Sequence, residues 1–497
     1  MKKYVLAIDQ GTTSSRAIIF DKSGEIISMA QEEFNQIYPK PGWVEHEPKE
    51  ILSSEMASIY GALARAGITF KDIASIGITN QRETTILWDK ITGKPVYNAI
   101  VWQCRRTDEY CMELSKDNDI NEMVYNKTGL RIDAYLCASK IKWILDNVKE
   151  AKELLLEHRL CFGTVDTYLL WHLTGKKSFM TDYTNASRTL LFNIHTLKWD
   201  PELLALFDIT SEILPEVYPS SHLYGYTSDE FGANIPITGI IGDQQAALFG
   251  QLCINKGDIK NTFGTGCFML MNTGDIAIKS KHGLLTTLGA SFDDKKPDYI
   301  LEGSVFIGGA AIKWLRDELN LVSNYKELEA LAKSIDDTDG VYVVPAFTGL
   351  GAPYWDGEAR GMIVGITRGT SKAHIVRATL EGIALQVYDV LKAMENDLGV
   401  DIKALSVDGG ACKNDFLMQF EADILNAKVI RPKIIEVTAL GAAYLAGLKV
   451  GYWKDINDIR ENKVIEKEFY PTKSKEERTY KIHNWHNAIK LCRIHNK

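Results

Sequence analysis

The chain has 497 residues, 45% hydrophobic and 25% charged, with a formal net charge of −8; that is too long for one hydrophobic core and implies at least two large domains. The acidic balance argues against a nucleic-acid or anionic-membrane surface, so a phosphate ligand must be neutralised locally by Arg, metal or backbone dipoles. No apolar run nears the roughly 18–20 residues of a bilayer span, Asp9 breaks the N-terminal apolar run too early for an export signal, and eight scattered cysteines without a Cys-x-x-Cys pair predict reduced thiols in a cytoplasmic protein.

Tyr4 to Ile8 predicts a buried strand and Ala17 to Phe20 a second strand running back, leaving Asp9-Gln10-Gly11-Thr12-Thr13-Ser14-Ser15-Arg16 as a hairpin tip. Backbone N–H groups and hydroxyls at such a tip can hold phosphate oxygens, Arg16 adds a fixed charge, and Asp9 offers the hard oxygen that Mg²⁺ prefers. An ordinary polar turn has the same composition. Glu25 to Met29 completes a meander, and Pro48 and Gly67 bracket a helix with Ile51, Leu52, Met56, Ile59, Tyr60 and Leu63 at helical spacing.

Ile73 to Ile78 predicts a strand that opens into Asn80-Gln81-Arg82-Glu83, the kind of strand end where open α/β sheets place ligands. Arg82 and Glu83 set a donor fork beside an acceptor carboxylate, which suits the vicinal hydroxyls of a polyol. Trp102 and Phe268 are candidate apolar walls for its carbon chain or plain core aromatics. Arg105-Arg106 reads as a solvated or subunit-facing charge patch. Asn185-Ala186-Ser187 matches a glycosylation acceptor by chance.

Gly242-Asp243-Gln244-Gln245 lies at a strand-to-helix junction, where Asp243 is either a helix cap or a general base for an attacking hydroxyl. From about residue 253 the opening pattern restarts: Asp258 to Phe263, the tip Gly264-Thr265-Gly266, then Cys267 to Met271. This predicts a duplicated domain, although the second tip lacks a counterpart of Asp9. Gly308-Gly309 fits helix–helix packing, and Val376, Leu380, Ile383, Val387 and Val390 form a core stripe. Gly409-Gly410 and Asn414 precede a helix, as a nucleotide site or a tight turn would require. The chain after about residue 450 reads as a surface-packed helical tail. A Walker A loop, a His-Glu-x-x-His site and a Gly-x-Ser-x-Gly elbow are all missing from the sequence.

Taken together these residues resemble the FGGY carbohydrate kinases over nearly the whole chain. Gly361 to Gly365, His374 and Ala378-Thr379-Leu380-Glu381 resemble the C-terminal family signature; Tyr135 through Lys140 and Trp143 to Asn147 resemble the N-terminal one, except at Cys137. Asn80 to Thr85, Trp102 to Thr107 and Gly242 to Gly250 are similar to the members that phosphorylate glycerol.

The resemblance implies an α/β fold of two ribonuclease H-like domains of the actin/hexokinase superfamily, residues 1–252 and 253–497, flanking a catalytic cleft. It implies Asp243 as general base and, with Asp9, as the Mg²⁺ site. Arg82, Glu83, Trp102, Tyr135, Asp243, Gln244 and Phe268 would line a glycerol pocket. Thr12, Thr13, Arg16, Thr265, Gly309, Gly410 and Asn414 would contact ATP.

The implied reaction is transfer of the γ-phosphoryl group to glycerol, giving sn-glycerol 3-phosphate, by a homodimer or homotetramer. Another sugar or polyol kinase of this fold and an actin-like regulatory ATPase are the alternatives. Lys313 and Lys413 depart from the family pattern beside the nucleotide. Relatives that bind fructose 1,6-bisphosphate resemble one another in a basic, Gly-rich loop, which here is Ser228-Asp229-Glu230-Phe231-Gly232-Ala233-Asn234. Its two carboxylates predict weak or no inhibition by that effector.

Overall fold

In the computed structural model, which describes residues 2–292 and 295–494, the opening meander forms as β1 (Tyr4–Gln10), β2 (Ser14–Phe20) and β3 (Ile26–Glu33). The hairpin pairs Asp9 with Arg16 across β1 and β2. The next helix, Pro48–Ala66, begins with Pro48 in its first turn after the Glu47 cap and stops at Gly67, whose φ of 65° lies in the left-handed region. Strands β4 (Ile73–Asn80), β5 (Ser221–Tyr226) and β6 (Pro236–Gly242) complete a sheet of order β5-β6-β4-β1-β2-β3. β4 runs parallel to both β1 and β6.

The chain divides into two units. The first comprises Met1–Leu252, Thr286–Tyr299 and Val437–Lys463; the second comprises Cys253–Leu285, Ile300–Glu436 and Val464–Lys497. In the second unit β7 (Ile259–Phe263), β8 (Cys267–Gly274), β9 (Tyr299–Val305), β10 (Ala404–Asp408), β11 (Lys428–Pro432) and β12 (Ile465–Phe469) lie in the order β9-β8-β7-β10-β11-β12. β7 pairs antiparallel with β8 and parallel with β10, β10 pairs parallel with β11, and β12 closes antiparallel on β11. The first unit has the same plan: a meander, two parallel strands and an antiparallel edge. Each unit is thus a ribonuclease H-like α/β domain, and the restart after residue 253 is a duplication. The expected core stripe is buried as Val376, Leu380, Ile383, Val387 and Val390 on the Lys372–Leu398 helix.

Two expectations need correction. A division at residue 252 misplaces Thr286–Tyr299 and Val437–Lys463, which fold with the first unit. The Val437–Lys449 helix is rich in small residues, and its backbone meets the first sheet so closely that a Cβ on Gly77 would sit 2.2 Å from the Ala442 carbonyl oxygen. That fit is possible only where both surfaces lack side-chain bulk. The tail after residue 450 is likewise more than a surface-packed helix. It supplies β12 as well as the Lys475–Ile494 helix, and Trp453 and Trp485 are both fully buried.

Candidate active site

The first unit gathers most of the predicted residues at the C-terminal ends of its parallel strands. Asp9, one residue before the end of β1, is buried, and its Oδ2 lies 3.0 Å from Arg16 Nη2. Across the tip Thr12 is half-buried and Thr13 exposed. Gln81, just past β4, donates from Nε2 to Gln10 Oε1 at 3.1 Å and to the Gly11 carbonyl at 3.1 Å, bracing the tip from below. Thr12 Oγ1 accepts from Trp102 Nε1 at 3.0 Å, so the phosphate tip and the proposed aromatic wall are physically linked. Trp102 meets Tyr135 edge to face, 5.6 Å between ring centroids.

Where β6 gives way to the helix Asp243–Gly250, Gly242 occupies the cap position and Asp243 is the first helical residue. The cap reading of Asp243 therefore falls away. Its Oδ1 accepts from Gln244 N at 2.7 Å and sits 3.2 Å from Arg82 Nε, while Oδ2 accepts from Gln244 Nε2 at 3.3 Å. The Asp243 side chain keeps 33% of its surface exposed, against 2% for Arg82. The arrangement presents a held carboxylate to a ligand at a strand end. Arg82 is itself braced by Gln245, whose Oε1 accepts from Nη1 at 3.1 Å.

Glu83 adopts a left-handed φ of 62°, rare for a residue with a side chain, which turns the chain sharply just after Arg82. Its Oε1 lies 2.5 Å from Nε of Arg188, a fully buried guanidinium that also stands 5.4 Å over the Tyr135 ring. Sequence reasoning missed Arg188, because an Arg beyond Asn185-Ala186-Ser187 carries no local pattern. It gave Lys140 no role, although the residue lies in the segment that resembles the N-terminal signature and a further signal existed. Lys140 lies three residues after Cys137 and four before Ile144, on the buried stripe of its helix. Arg105 does form a surface patch with Asp108 and Asp133, but Arg106 corrects the expectation. It is buried against Trp43 and Trp143, with its cation 3.9 and 4.6 Å from their ring centroids, and paired with Glu45.

The remaining predicted residues belong to the second unit. Thr265 is exposed at the tip between β7 and β8, and Phe268 is half-buried on β8. Gly309 opens the helix Gly309–Asp317, and its N–H donates to the Gly264 carbonyl at 2.8 Å. A Cβ there would approach that oxygen to 2.6 Å, so the paired glycines clasp the tip rather than pack helix on helix. Gly410 faces open space, with no atom within 4 Å of a Cβ built on it. Asn414 caps the helix Asp415–Leu425 by accepting from Leu417 N at 2.9 Å, and its buried Nδ2 has no partner among the described residues. A donor held in this way fits a ligand acceptor. Lys313 and Lys413 are both exposed.

Residues 4–250 match the N-terminal domain of the FGGY family of carbohydrate kinases, and residues 259–450 match its C-terminal domain. The chain belongs to the FGGY family of carbohydrate kinases. A glycerol kinase 1 of Clostridium tetani is 61% identical over 491 residues, covering 99% of this chain and 98% of that one. Among solved structures, Plasmodium falciparum glycerol kinase with ADP superposes with a TM-score of 0.91 at 39% identity, covering 98% of each chain. A ligand-bound xylulose kinase from Lactobacillus acidophilus superposes with a TM-score of 0.86 at 24% identity, covering 98% of this chain and 97% of that one. That likeness extends the shared FGGY fold to a sugar kinase. Among the described residues no helix is long and apolar enough to cross a membrane.

Proposed function

We propose that this chain is a glycerol kinase, transferring the γ-phosphoryl group of ATP to a terminal hydroxyl of glycerol and yielding sn-glycerol 3-phosphate and ADP. The observation that carries the reading is the Asp243–Arg82–Glu83 constellation, a half-exposed carboxylate fixed beside a donor and acceptor pair. The 61% identity to a glycerol kinase supports the same substrate.

In this mechanism Arg82 and Glu83 hold two adjacent hydroxyls, and Trp102 and Tyr135 press on the carbon chain. Phe268 is the third aromatic proposed for the carbon chain. Asp243 accepts the proton of the attacking hydroxyl as the new oxygen–phosphorus bond forms and the bond from the γ-phosphorus to ADP breaks. General-base help of this kind is worth about 10²–10⁴ in rate. Arg82 and Gln244 keep the Asp243 carboxylate from rotating, so little reorganisation remains at the moment of transfer.

Thr12, Thr13 and Arg16 are the proposed phosphate contacts of the first unit. Thr265, Gly309, Gly410 and Asn414 are the nucleotide contacts of the second. Asp9 and Asp243 are the hard-oxygen side chains that would hold Mg²⁺, whose charge neutralises the phosphates when it is bound. Asp9 is suited to that role because it is a buried carboxylate near a strand end, paired with Arg16.

The enzyme is proposed to be cytoplasmic and to assemble as a homodimer or homotetramer, which light scattering would test. ADP formation measured with and without glycerol, xylulose and gluconate tests the substrate. Turnover on xylulose or gluconate exceeding that on glycerol would overturn the reading.

A further inference from the structure

Lys140 is fully buried, and its ammonium donates to two backbone carbonyls, Tyr135 O at 2.6 Å and Glu83 O at 3.1 Å. Those residues come from separate segments, and both belong to the proposed polyol site. The Glu83 carbonyl also receives the Cys137 thiol at 3.4 Å, one turn before Lys140 on the same helix. Glu83 needs such anchoring, because a φ of 62° is strained in a residue with a side chain and persists only where surroundings over-determine it.

We infer that Lys140 is a positioning residue for polyol recognition, clamping the backbones of Glu83 and Tyr135 so that the acceptor carboxylate and the aromatic wall are set by one buried cation. Glu83 is then held from both ends, its carbonyl by Lys140 and its carboxylate by Arg188. The clamp fixes where the Glu83 carboxylate stands relative to Arg82, and hence the spacing of hydroxyls that the pair accepts. A neutral side chain of equal length would remove the charged donor shared by the two carbonyls, leaving Glu83 O to the Cys137 thiol and the Thr85 hydroxyl, and would let the strained turn relax. Lys140 touches no reacting atom, so its loss acts on substrate binding through Glu83 and Tyr135. This inference rests on the glycerol reading above.

The test is steady-state kinetics of the full-length enzyme carrying Lys140→Met or Lys140→Gln, with circular dichroism and thermal melting to establish folding. Lys140→Met is expected to raise the glycerol KM by about 10–100-fold, the loss of a charge-assisted double hydrogen bond, while the ATP KM stays within about twofold. Lys140→Gln, which keeps one donor group on a shorter stem, is expected to fall between wild type and Met. The preference for glycerol over 1,3-propanediol, which lacks the central hydroxyl, is expected to shrink in the same order.

If Lys140→Met does not accumulate as folded protein, the Gln variant alone decides. A rise of at least about threefold in glycerol KM at constant ATP KM supports the inference. An unchanged glycerol KM, or equal changes in both substrates, overturns it. A wild-type enzyme without glycerol-dependent ADP formation would instead overturn the glycerol reading itself.

Discussion

Nε of Arg82 lies 3.2 Å from Oδ1 of Asp243, joining the end of β4 to the start of the helix after β6. The pair turns two distant segments into one charged unit at adjacent strand ends. Since Asp243 is more exposed than Arg82, the carboxylate is the half open to solvent, as its proposed role as base requires. Asp243→Asn keeps the shape and most hydrogen bonds but removes the base. Its kcat is expected to fall about 10²–10⁴-fold with glycerol binding retained, which single-turnover ADP release and equilibrium glycerol binding would separate. Near wild-type turnover in a folded variant would reject the assignment.

Arg188→Met should damage stability as well as activity. The Glu83 carboxylate is 2% exposed and loses its 2.5 Å partner, leaving a buried charge without that compensation. Breaking a buried pair from one side costs about 3–5 kcal/mol, to be read from urea unfolding midpoints. Arg188→Met combined with Glu83→Gln should recover part of that loss, because the undercompensated charge is gone. A double variant as unstable as the single one would contradict this account.

His46 gives the fold an acid sensitivity of defined sign. It is buried beneath the tip, with Nε2 placed to donate to Gln36 Oε1 at 2.8 Å, and burial lowers its pKa from 6.5 to about 4. Between those values the unfolded chain binds a proton that the folded chain refuses. Unfolding free energy therefore drops as pH falls from 6.5 towards 4 and levels below that, by up to about 3 kcal/mol from this group. His46→Gln is expected to flatten that limb in denaturant titrations at a series of pH values; an unaltered limb would assign the sensitivity elsewhere.

Gly410 separates nucleotide contact from packing. No protein atom lies within 4 Å of a Cβ placed there, so Gly410→Ala should leave the melting temperature unchanged. If nucleotide passes this point, its KM rises several-fold. Gly309→Ala, by contrast, pushes on the Gly264 carbonyl and should lower both stability and ATP affinity. An unchanged ATP KM in Gly410→Ala would remove Gly410 from the proposed site.

Fructose 1,6-bisphosphate is expected to inhibit weakly or not at all. Asp229 and Glu230 lie in a short helical turn closed by Gly232 and pinned by the buried Phe231, so the two carboxylates belong to a shaped surface. Two negative charges oppose a bisphosphate. Inhibition constants at near-physiological salt test this, and submillimolar inhibition would count against it.

Much of the first unit follows from neighbouring residues alone. Pro48 and Gly67 set the helix ends because their backbone constraints are local. Asp9 and Arg16 face each other because a short hairpin tip leaves few registers. Arg82, Glu83 and Asp243 stood out for the same reason, polar residues placed where apolar strands end.

Other features depend on contacts between residues far apart in the chain. Lys140 and Arg188 acquire meaning only when Glu83 is folded against them, and Arg106 is a cation held against aromatic rings only because Trp43 and Trp143 converge on it. The Val437–Lys449 helix looks generic in sequence, yet it joins the first unit because Gly77 offers its backbone a bare surface. Backbone propensity and hairpin register act within a few residues and can be read along the chain. The partner of a buried charge, or of a small-residue helix, is chosen by shape and desolvation in three dimensions, and only folding brings those surfaces together.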